Sequence, residues 1–334
     1  MKKIALVVAA VALSGSCALA ADMPVKAGKI AAAPAPSPWD VAFGGAIMND
    51  YIFRGITQSD HKPSVAAYFE PRYNLNPNLQ LYAGIAGESI KFANNAAAEI
   101  DFYAGVRPTF GAFAFDFGFF YYYYPGGQCY GTGPNQALGP GCVAGGIPLN
   151  GNVAKASASF YEVYGKVSYT WADWAFGGNF YYSPNFLNLG ADGEYLSGTV
   201  KYTAPAAMAL WSGKVGWYVS GEFGRQWLGT SDAFYGCAIG APGVGCGADN
   251  PNGIPYKDYN TWNVGVGFTY KVFTLDLRYS DTNLNKGDCN AFTSDSTATG
   301  IANQTAINAG PGSNWCGARF IAKLSADLTL GSLK

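Results

Sequence analysis

The sequence predicts an all-β fold: a closed antiparallel transmembrane β-barrel of twelve strands, with short periplasmic turns and long external loops stapled by disulfides. Three observations indicate this class. Charged residues make up 13% and aromatic residues 16% of the 334-residue chain, whereas charged residues make up about 25% of a typical soluble domain. Segments of about ten residues alternate between apolar and polar side chains, and none shows a sustained helical period. No stretch of about 18 or more apolar residues is present that could span a bilayer as a helix, so a closed barrel is the remaining membrane-compatible structure.

The N-terminal residues 1–20 are predicted to be a secretory signal peptide. Lys2 and Lys3 precede the apolar run Ile4–Leu13. Ala18 and Ala20 then give the small-x-small pattern of a cleavage site, with cleavage expected after Ala20. Cys17 keeps a lipoprotein signal open as the alternative. The protein is therefore expected to be exported and inserted in the outer membrane of a Gram-negative cell.

Residues 21–38 are rich in Ala and Pro and are predicted to be a flexible periplasmic segment, which leaves residues 39–334 for the barrel. The alternation is clearest from Phe113 to Phe119, where phenylalanines lie on one face and Asp116 lies on the other. An even strand number returns both ends of the barrel to the same side of the membrane. The predicted strands span residues 39–53, 64–73, 79–89, 98–110, 113–124, 157–171, 174–183, 194–204, 214–227, 259–270, 273–280 and 318–330.

Six cysteines remain after removal of the signal peptide, and two fall in each of the three long loops. Six cysteines allow fifteen connectivities, but an exported protein meets an oxidising compartment, and pairs within each loop are the prediction. Metal binding is the alternative, although no CxxC spacing occurs and the sole histidine, His61, lies in another loop. The predicted disulfides join Cys129 to Cys142, Cys237 to Cys246, and Cys289 to Cys316.

The charged residues of the strands are predicted to face the lumen, because an Arg or Lys on the lipid face costs about 2–4 kcal/mol near the midplane. Two interpretations stay open: an open but narrow pore, which we favour, or charges that pair across a filled lumen. Tyrosines and tryptophans at strand ends, among them Tyr121–Tyr124, Trp171, Trp174 and Trp217, are predicted to form interfacial girdles. The predicted pore-lining residues are Asp50, Arg54, Glu70, Arg72, Glu88, Glu99, Asp101, Arg107, Asp116, Glu162, Lys166, Lys201, Glu222, Asp276, Arg278, Lys323 and Asp327.

Enzymatic activity is not expected. The single histidine follows directly after Ser59 and Asp60, and side chains of neighbouring residues diverge too much to form a triad easily. No catalytic, cofactor-binding or metal-binding residues are predicted, and no cofactor. The net charge of −1 gives no electrostatic case for nucleic acid. The expected partners are outer-membrane lipid and small polar solutes, and a homo-oligomer is left open.

The stretch Asn49–Asp60, NDYIFRGITQSD, resembles the start of TorF-type porins of proteobacteria, in which an aspartate-tyrosine-aliphatic-aromatic-arginine-glycine run is followed by a hydroxyl residue and glutamine. The resemblance implies an outer-membrane barrel with pore activity, and it supplies no catalytic residues and no substrate. The leader ADMPVKA also resembles that of other alphaproteobacterial surface barrels. The predicted function is a porin-like channel for passive diffusion of small polar solutes or ions. The alternative is a non-conducting surface barrel whose loops bind a partner.

Within this stretch, the parity of the first strand places Asp50 and Arg54 inward, at the mouth of the channel. It places Tyr51 and Phe53 outward at the interface. An ion pair between Arg54 and Asp50 is one interpretation of this arrangement, and a bulge near Asn49 would reverse the faces.

Overall fold

The computed structural model describes residues 38–129, 152, 154–236, 253–298 and 312–330. The predicted signal peptide and almost all of the predicted periplasmic segment lie outside these residues. Within the described residues, no helix has the length and apolar character needed to cross a membrane.

Twelve antiparallel strands close into a barrel, each paired with its neighbours in sequence order, and the last strand pairs with the first. This confirms the predicted fold class and the strand count. A separate two-stranded hairpin, formed by β2 (Ile52–Phe53) and β3 (Ile56–Thr57), is not part of the barrel's strand order. The barrel strands are β1 (Trp39–Met48), β4 (Ser64–Asn76), β5 (Leu79–Glu88), β6 (Glu99–Phe110), β7 (Phe113–Tyr123), β8 (Phe160–Trp171), β9 (Trp174–Ser183), β10 (Gly193–Thr203), β11 (Gly216–Leu228), β12 (Tyr259–Tyr270), β13 (Phe273–Thr282) and β14 (Arg319–Thr329). The remaining elements are β2 (Ile52–Phe53), β3 (Ile56–Thr57), α1 (Leu210–Gly213), α2 (Ala233–Gly236), α3 (Lys286–Thr293), and 3-10 turns at Phe186–Asn188 and Ala206–Met208.

The two ends of the barrel differ in their connections. At one end, which we name the turn end, four of the five connections are two residues long, 77–78, 111–112, 172–173 and 271–272, and the fifth, 204–215, is longer. At the opposite end, the loop end, the chain makes its longer excursions, including the hairpin and α3. This asymmetry is typical of outer-membrane barrels, in which the short turns are periplasmic.

The strands alternate between an apolar exterior and a polar interior. On β4, Val65 and Phe69 are exposed while Ser64, Tyr68 and Glu70 are buried. The same order recurs around the wall and leaves a band of exposed Phe, Leu, Val and Tyr side chains on the outside. A continuous apolar surface of this kind is stable against lipid and not against water.

Several tyrosines that point inward pack over glycines of the neighbouring strand. Tyr103 lies opposite Gly84, and Tyr218 lies opposite Gly267. A Cβ atom added at Gly84 would come within 2.3 Å of the Tyr103 ring, and one at Gly267 within 2.0 Å of the Tyr218 ring. The close approach of ring and backbone therefore requires glycine and helps to fix the strand register.

The disulfide prediction is confirmed in one loop. Cys289 and Cys316 are joined with a Cα–Cα distance of 6.0 Å, which is within the usual range for disulfides. Cys129 is also disulfide-bonded, and its partner lies outside the described residues. Cys142, Cys237 and Cys246 lie outside them too, so the other two pairings stay predictions.

Candidate functional site in the barrel interior

The first strand ends earlier than predicted, and the chain then turns into the lumen. β1 stops at Met48, and the side chain of Asn49 takes the place of further strand pairing. Its Nδ2 donates to Phe320 O at 3.0 Å, and its Oδ1 accepts from Ala322 N at 2.6 Å. The predicted strand over residues 39–53 is therefore wrong beyond residue 48.

The hairpin β2–β3 turns through Arg54 and Gly55, which have positive φ values of 46° and 80°. Positive φ at both central residues is the requirement of a type I′ turn, in which Asn-Gly is strongly preferred. Gly55 adopts this conformation readily, and a Cβ atom there would lie 2.9 Å from Thr261 Oγ1. The tip thus packs directly against the wall. Arg54 is unusual in this position, because a left-handed backbone costs a non-glycine residue about 1–2 kcal/mol.

Arg54 crosses the interior and pairs with the far wall. Its two terminal nitrogens donate to the two carboxylate oxygens of Glu162 on β8, each at 2.9 Å, and Nη1 also donates to Gln226 Oε1 on β11 at 3.0 Å. The guanidinium carbon lies 4.4 Å from the Tyr195 ring centroid and 4.9 Å from that of Tyr181. Burial by itself would lower the pKa of Arg54, but Glu162 together with Tyr122 and Tyr195 raises the pKa overall. The arginine therefore stays charged.

Two predictions about this stretch are wrong. Arg54 does not sit at the mouth in a pair with Asp50; it is buried and bound to Glu162. Tyr51 and Phe53, expected at the outer interface, are buried inside the barrel. The reason is the early end of β1, which removes the strand parity on which both predictions depended.

Asp50 instead organises the base of the hairpin. It accepts from Thr57 Oγ1 at 2.5 Å and from Ser59 Oγ at 3.1 Å, and its second oxygen lies 2.8 Å from His61 Nδ1. The Oγ atom of Ser59 also donates to the backbone oxygen of Lys62. Asp50 and His61 thus fold the connection between β1 and β4 back on itself.

The hairpin is also held by the loop between β13 and β14. Thr57 N donates to Trp315 O at 2.9 Å, and Ile56 forms an isolated bridge with Cys316. Cys316 is the residue tied to Cys289 on α3. The disulfide therefore fixes the segment against which β3 lies.

We name the half of the barrel interior nearest the turn end the turn half. One of its walls carries a connected charge network. Glu70 accepts from Arg72 at 2.6 Å and from Arg107 at 2.8 Å, and Asp116 lies 3.4 Å from Arg107. Tyr82 donates to Asp116 at 2.6 Å, and its ring centroid lies 3.7 Å from the guanidinium of Arg107. The hydroxyl of Tyr82 also contacts that of Tyr164 on β8.

The opposite wall carries a second network. Arg278 donates to Asp276 at 3.0 Å, to Asn263 at 2.5 Å and to Ser220 at 2.9 Å. Tyr218 donates to the same carboxylate at 2.6 Å. Among the described residues, no hydrogen bond or ion pair joins this network to that of Arg107. The remaining inward charges have local neighbours. Two carboxylates accept from tyrosine hydroxyls: Glu222 from Tyr195, and Asp327 from Tyr68. Lys201 and Lys166 lie over the rings of Tyr218 and Tyr164, and Lys323 lies opposite Asp276 in the strand register.

Three predicted lining residues form an acidic cluster at the loop end of β5 and β6. Glu88, Glu99 and Asp101 each offer a carboxylate oxygen, and these oxygens lie within 4.8 Å of one another. All three residues are buried. Glu99 accepts from Tyr51 at 2.7 Å and from Tyr124 at 3.0 Å.

An apolar cavity of about 80 Å³ lies between the hairpin and the loops. Aromatic and aliphatic side chains make up most of its lining, and its polar members are Thr57, Gln58, Asn94, Lys155, Thr293 and Ser294. Lys155 forms an ion pair with Asp232 and donates to Asn188 O. The aromatic residues that line the cavity are Phe53, Phe92, Phe186, Tyr235, Tyr259, Phe292 and Trp315.

Sequence reasoning missed the interior tyrosines. Tyr122 and Tyr124, predicted to belong to an interfacial girdle, are buried inside the barrel, where Tyr122 donates to Glu162 at 3.1 Å. The signal was present, because both residues share the strand parity of Asp116 and not that of the lipid-facing phenylalanines. Gln226 was also missed, since a neutral amide leaves no charge pattern to follow.

The chain belongs to a bacterial protein family of unknown function (Gcw_chp), whose model matches residues 32–309. No curated protein matches the chain. The resemblance to TorF-type porins stays a prediction.

Solved outer-membrane barrels are similar to this chain, at low sequence identity and low TM-score. A NanC porin is 9% identical with a TM-score of 0.41, over 87% of this chain and 100% of that one. An outer-membrane channel of Pseudomonas putida F1 is 10% identical with a TM-score of 0.37, over 89% and 97%. OmpT, an outer-membrane protein of Vibrio cholerae, is 13% identical with a TM-score of 0.33, over 90% and 100%.

Proposed function

For this member of a family of unknown function, we propose an outer-membrane channel for passive diffusion of small polar solutes or ions, closed at its loop end by the β2–β3 hairpin. One observation carries the proposal: in the turn half the guanidinium groups of Arg107 and Arg278 stay partly exposed to the lumen, although the carboxylates of Glu70 and Asp276 that they pair with are buried, whereas the ion pair beside the hairpin is closed off. The side chains of Arg107 and Arg278 keep 19% and 15% exposure in the turn half, whereas those of Arg54 and Glu162 keep 2% and 0%. The proposed role is transport without catalysis.

The hairpin is suited to be a movable closure because it belongs to a loop. Its two strands pair only with each other in the barrel's strand order, so its departure breaks none of the ladders that close the wall. Behind it, the two charge networks lie on separate walls, and we infer a polar path between them. Fixed charges of both signs beside such a path orient and select small polar solutes.

Planar-bilayer conductance of two proteins tests the proposal. Tyr51 O accepts from Gln58 N at 2.7 Å, so the ends of the hairpin are adjacent and two glycines can replace residues 52–57. We expect brief, small current steps from the wild type and larger, persistent steps from the shortened protein. Silence from both proteins, when both are folded, would refute a channel.

Ion selectivity gives a graded second test. The Lys201 amine lies inside the turn half, 4.1 Å from the Tyr218 ring centroid. In the hairpin-shortened protein, Lys201→Gln lowers the net charge of the interior by one, and Lys201→Glu lowers it by two. We expect the reversal potential in a salt gradient to move toward cation preference in two successive steps. Equal potentials for all three proteins would contradict a conducting path past this residue.

The loop-end cavity favours a second candidate function, capture of a small apolar molecule by a barrel that does not conduct. Ala154 lines the cavity and is buried, so Ala154→Leu should fill part of it. If the cavity is a binding site, indole or phenol raises the unfolding temperature of the wild type and not of this variant. Equal shifts, or none, count against this candidate.

A further inference from the structure

The acidic cluster of Glu88, Glu99 and Asp101 is built into the wall and not into a flexible loop. Glu88 is the last residue of β5, and it lies directly opposite Glu99, the first residue of β6, in the strand register. Asp101 points into the same space two residues further along β6. The strand pairing therefore holds three carboxylates together whether or not they attract one another.

Two of the three carboxylates, those of Glu88 and Asp101, lack a cationic partner among the described residues. Both carboxylate oxygens of Asp101 and Oε2 of Glu88 are buried and have no hydrogen-bond partner among the described residues. No Lys, Arg or His of the described residues forms an ion pair with either side chain. Buried carboxylates without partners are strongly unfavourable, and adjacent like charges add to that cost. The arrangement calls for a cation or for bound protons.

We propose that Glu88, Glu99 and Asp101 form a calcium-binding site. Calcium takes six to eight oxygen ligands at about 2.3–2.6 Å, so two of its ligand oxygens lie at most about 5 Å apart. The carboxylate oxygens, within 4.8 Å of one another, meet this limit. No His or Cys belongs to the cluster, which sets it apart from the usual zinc sites. The hydroxyls of Tyr51 and Tyr124 orient Glu99 from outside the ligand set.

The site lies next to the base of the hairpin. Tyr51 immediately precedes β2 and contacts Glu99, and Lys91 N, on the connection between β5 and β6, donates to Gln58 O at 2.7 Å. A cation held by β5 and β6 would therefore stabilise the segment from which the hairpin enters the lumen. The calcium site does not depend on whether the barrel conducts.

Isothermal titration of the purified full chain in detergent, after removal of metal with EDTA, tests the site. We expect the wild type to bind one Ca²⁺ per chain, and Mg²⁺ more weakly because Mg²⁺ demands a smaller, regular octahedron. Asp101→Asn should weaken calcium binding at least tenfold, and Glu88→Gln provides an independent variant if the first does not fold. Asp276→Asn is the matched control, because that carboxylate is interior but paired with Arg278; its calcium affinity should equal that of the wild type.

Thermal unfolding distinguishes calcium binding by the cluster from protons shared among its carboxylates. The unfolding temperature of the wild type should rise with Ca²⁺ and fall with EDTA, and that of Asp101→Asn should respond to neither. If the wild type binds no Ca²⁺, or if both cluster variants bind it as tightly as the wild type, the proposal is overturned. It is equally overturned if Asp101→Asn raises the unfolding temperature while the wild type ignores Ca²⁺, because that result identifies shared protons.

Discussion

Replacing Arg54 with alanine is expected to release the hairpin from the lumen. The substitution removes a bidentate ion pair and leaves Glu162 buried at the far wall, with Tyr122 and other neighbours but without its cation. Breaking a buried pair from one side costs about 3–5 kcal/mol, and the lost contacts with aromatic rings add to this. A loss of about 4 kcal/mol shifts the equilibrium between inserted and displaced hairpin about a thousandfold.

Amide hydrogen exchange across residues 52–57, measured together with bilayer conductance, reports this shift. We expect exchange to accelerate in the hairpin of Arg54→Ala while the barrel strands exchange as in the wild type, and current steps to become frequent. Arg54→Gly is a matched variant: it loses the same ion pair but relieves a left-handed backbone that costs about 1–2 kcal/mol. Its hairpin should exchange more slowly than that of Arg54→Ala.

The double variant Arg54→Met with Glu162→Gln removes both charges and keeps much of the volume. Replacing a buried ion pair by neutral groups of similar size is often neutral or stabilising, so slow exchange should largely return. If Arg54→Ala leaves exchange and conductance unchanged, the ion pair does not hold the hairpin. If the double variant is as open as the single one, the buried charge of Glu162 is not the cause.

Three further changes test neighbouring parts of the structure. Gly55→Ala introduces a Cβ atom 2.9 Å from a wall oxygen at a positive φ, so it should accelerate hairpin exchange as Arg54→Ala does. Cys316→Ser removes the disulfide that fixes the segment beside β3, a loss of about 2–4 kcal/mol in local order, and should accelerate exchange of the Thr57 amide in particular. Gly267→Ala places a Cβ atom 2.0 Å from a tyrosine ring and should lower the denaturant midpoint, whereas Gly198→Ala, which meets nothing within 4 Å, is the control and should not.

The wall of the barrel could be predicted because lipid leaves few choices. On β14, Phe320 and Leu324 are exposed while Ser325 and Asp327 are buried, as their alternation in sequence predicts. A charge on the outer face is costly, and a slip by one residue would move every side chain of a strand to the wrong face. The same rule placed Glu70, with the other inward charges, in the interior.

The contents of the lumen could not be predicted in the same way. Strand parity predicts which face of the wall a residue occupies, but it does not predict where the chain leaves the wall. Here the side chain of Asn49 bonds to the backbone of β14 where the pairing of β1 ends. The partners of Arg54 are 108 and 172 residues away along the chain, and no periodic pattern encodes such contacts. The acidic cluster joins residues whose inward direction was predicted, but their distance depends on the register between β5 and β6.

The choice of arginine at residue 54 bears on what the hairpin is for. Type I′ turns usually carry Asn-Gly or Asp-Gly, whereas an arginine in this turn is strained by its left-handed backbone. From the tip of the turn, the guanidinium donates to Glu162 and Gln226, and these contacts compensate for the strain. Contacts that hold the tip are therefore worth more than the strain, yet they lie in one small group of side chains. One event at that group can therefore release the tip while the wall stays intact, although the base of the hairpin is held separately by Asp50 and by the loop between β13 and β14.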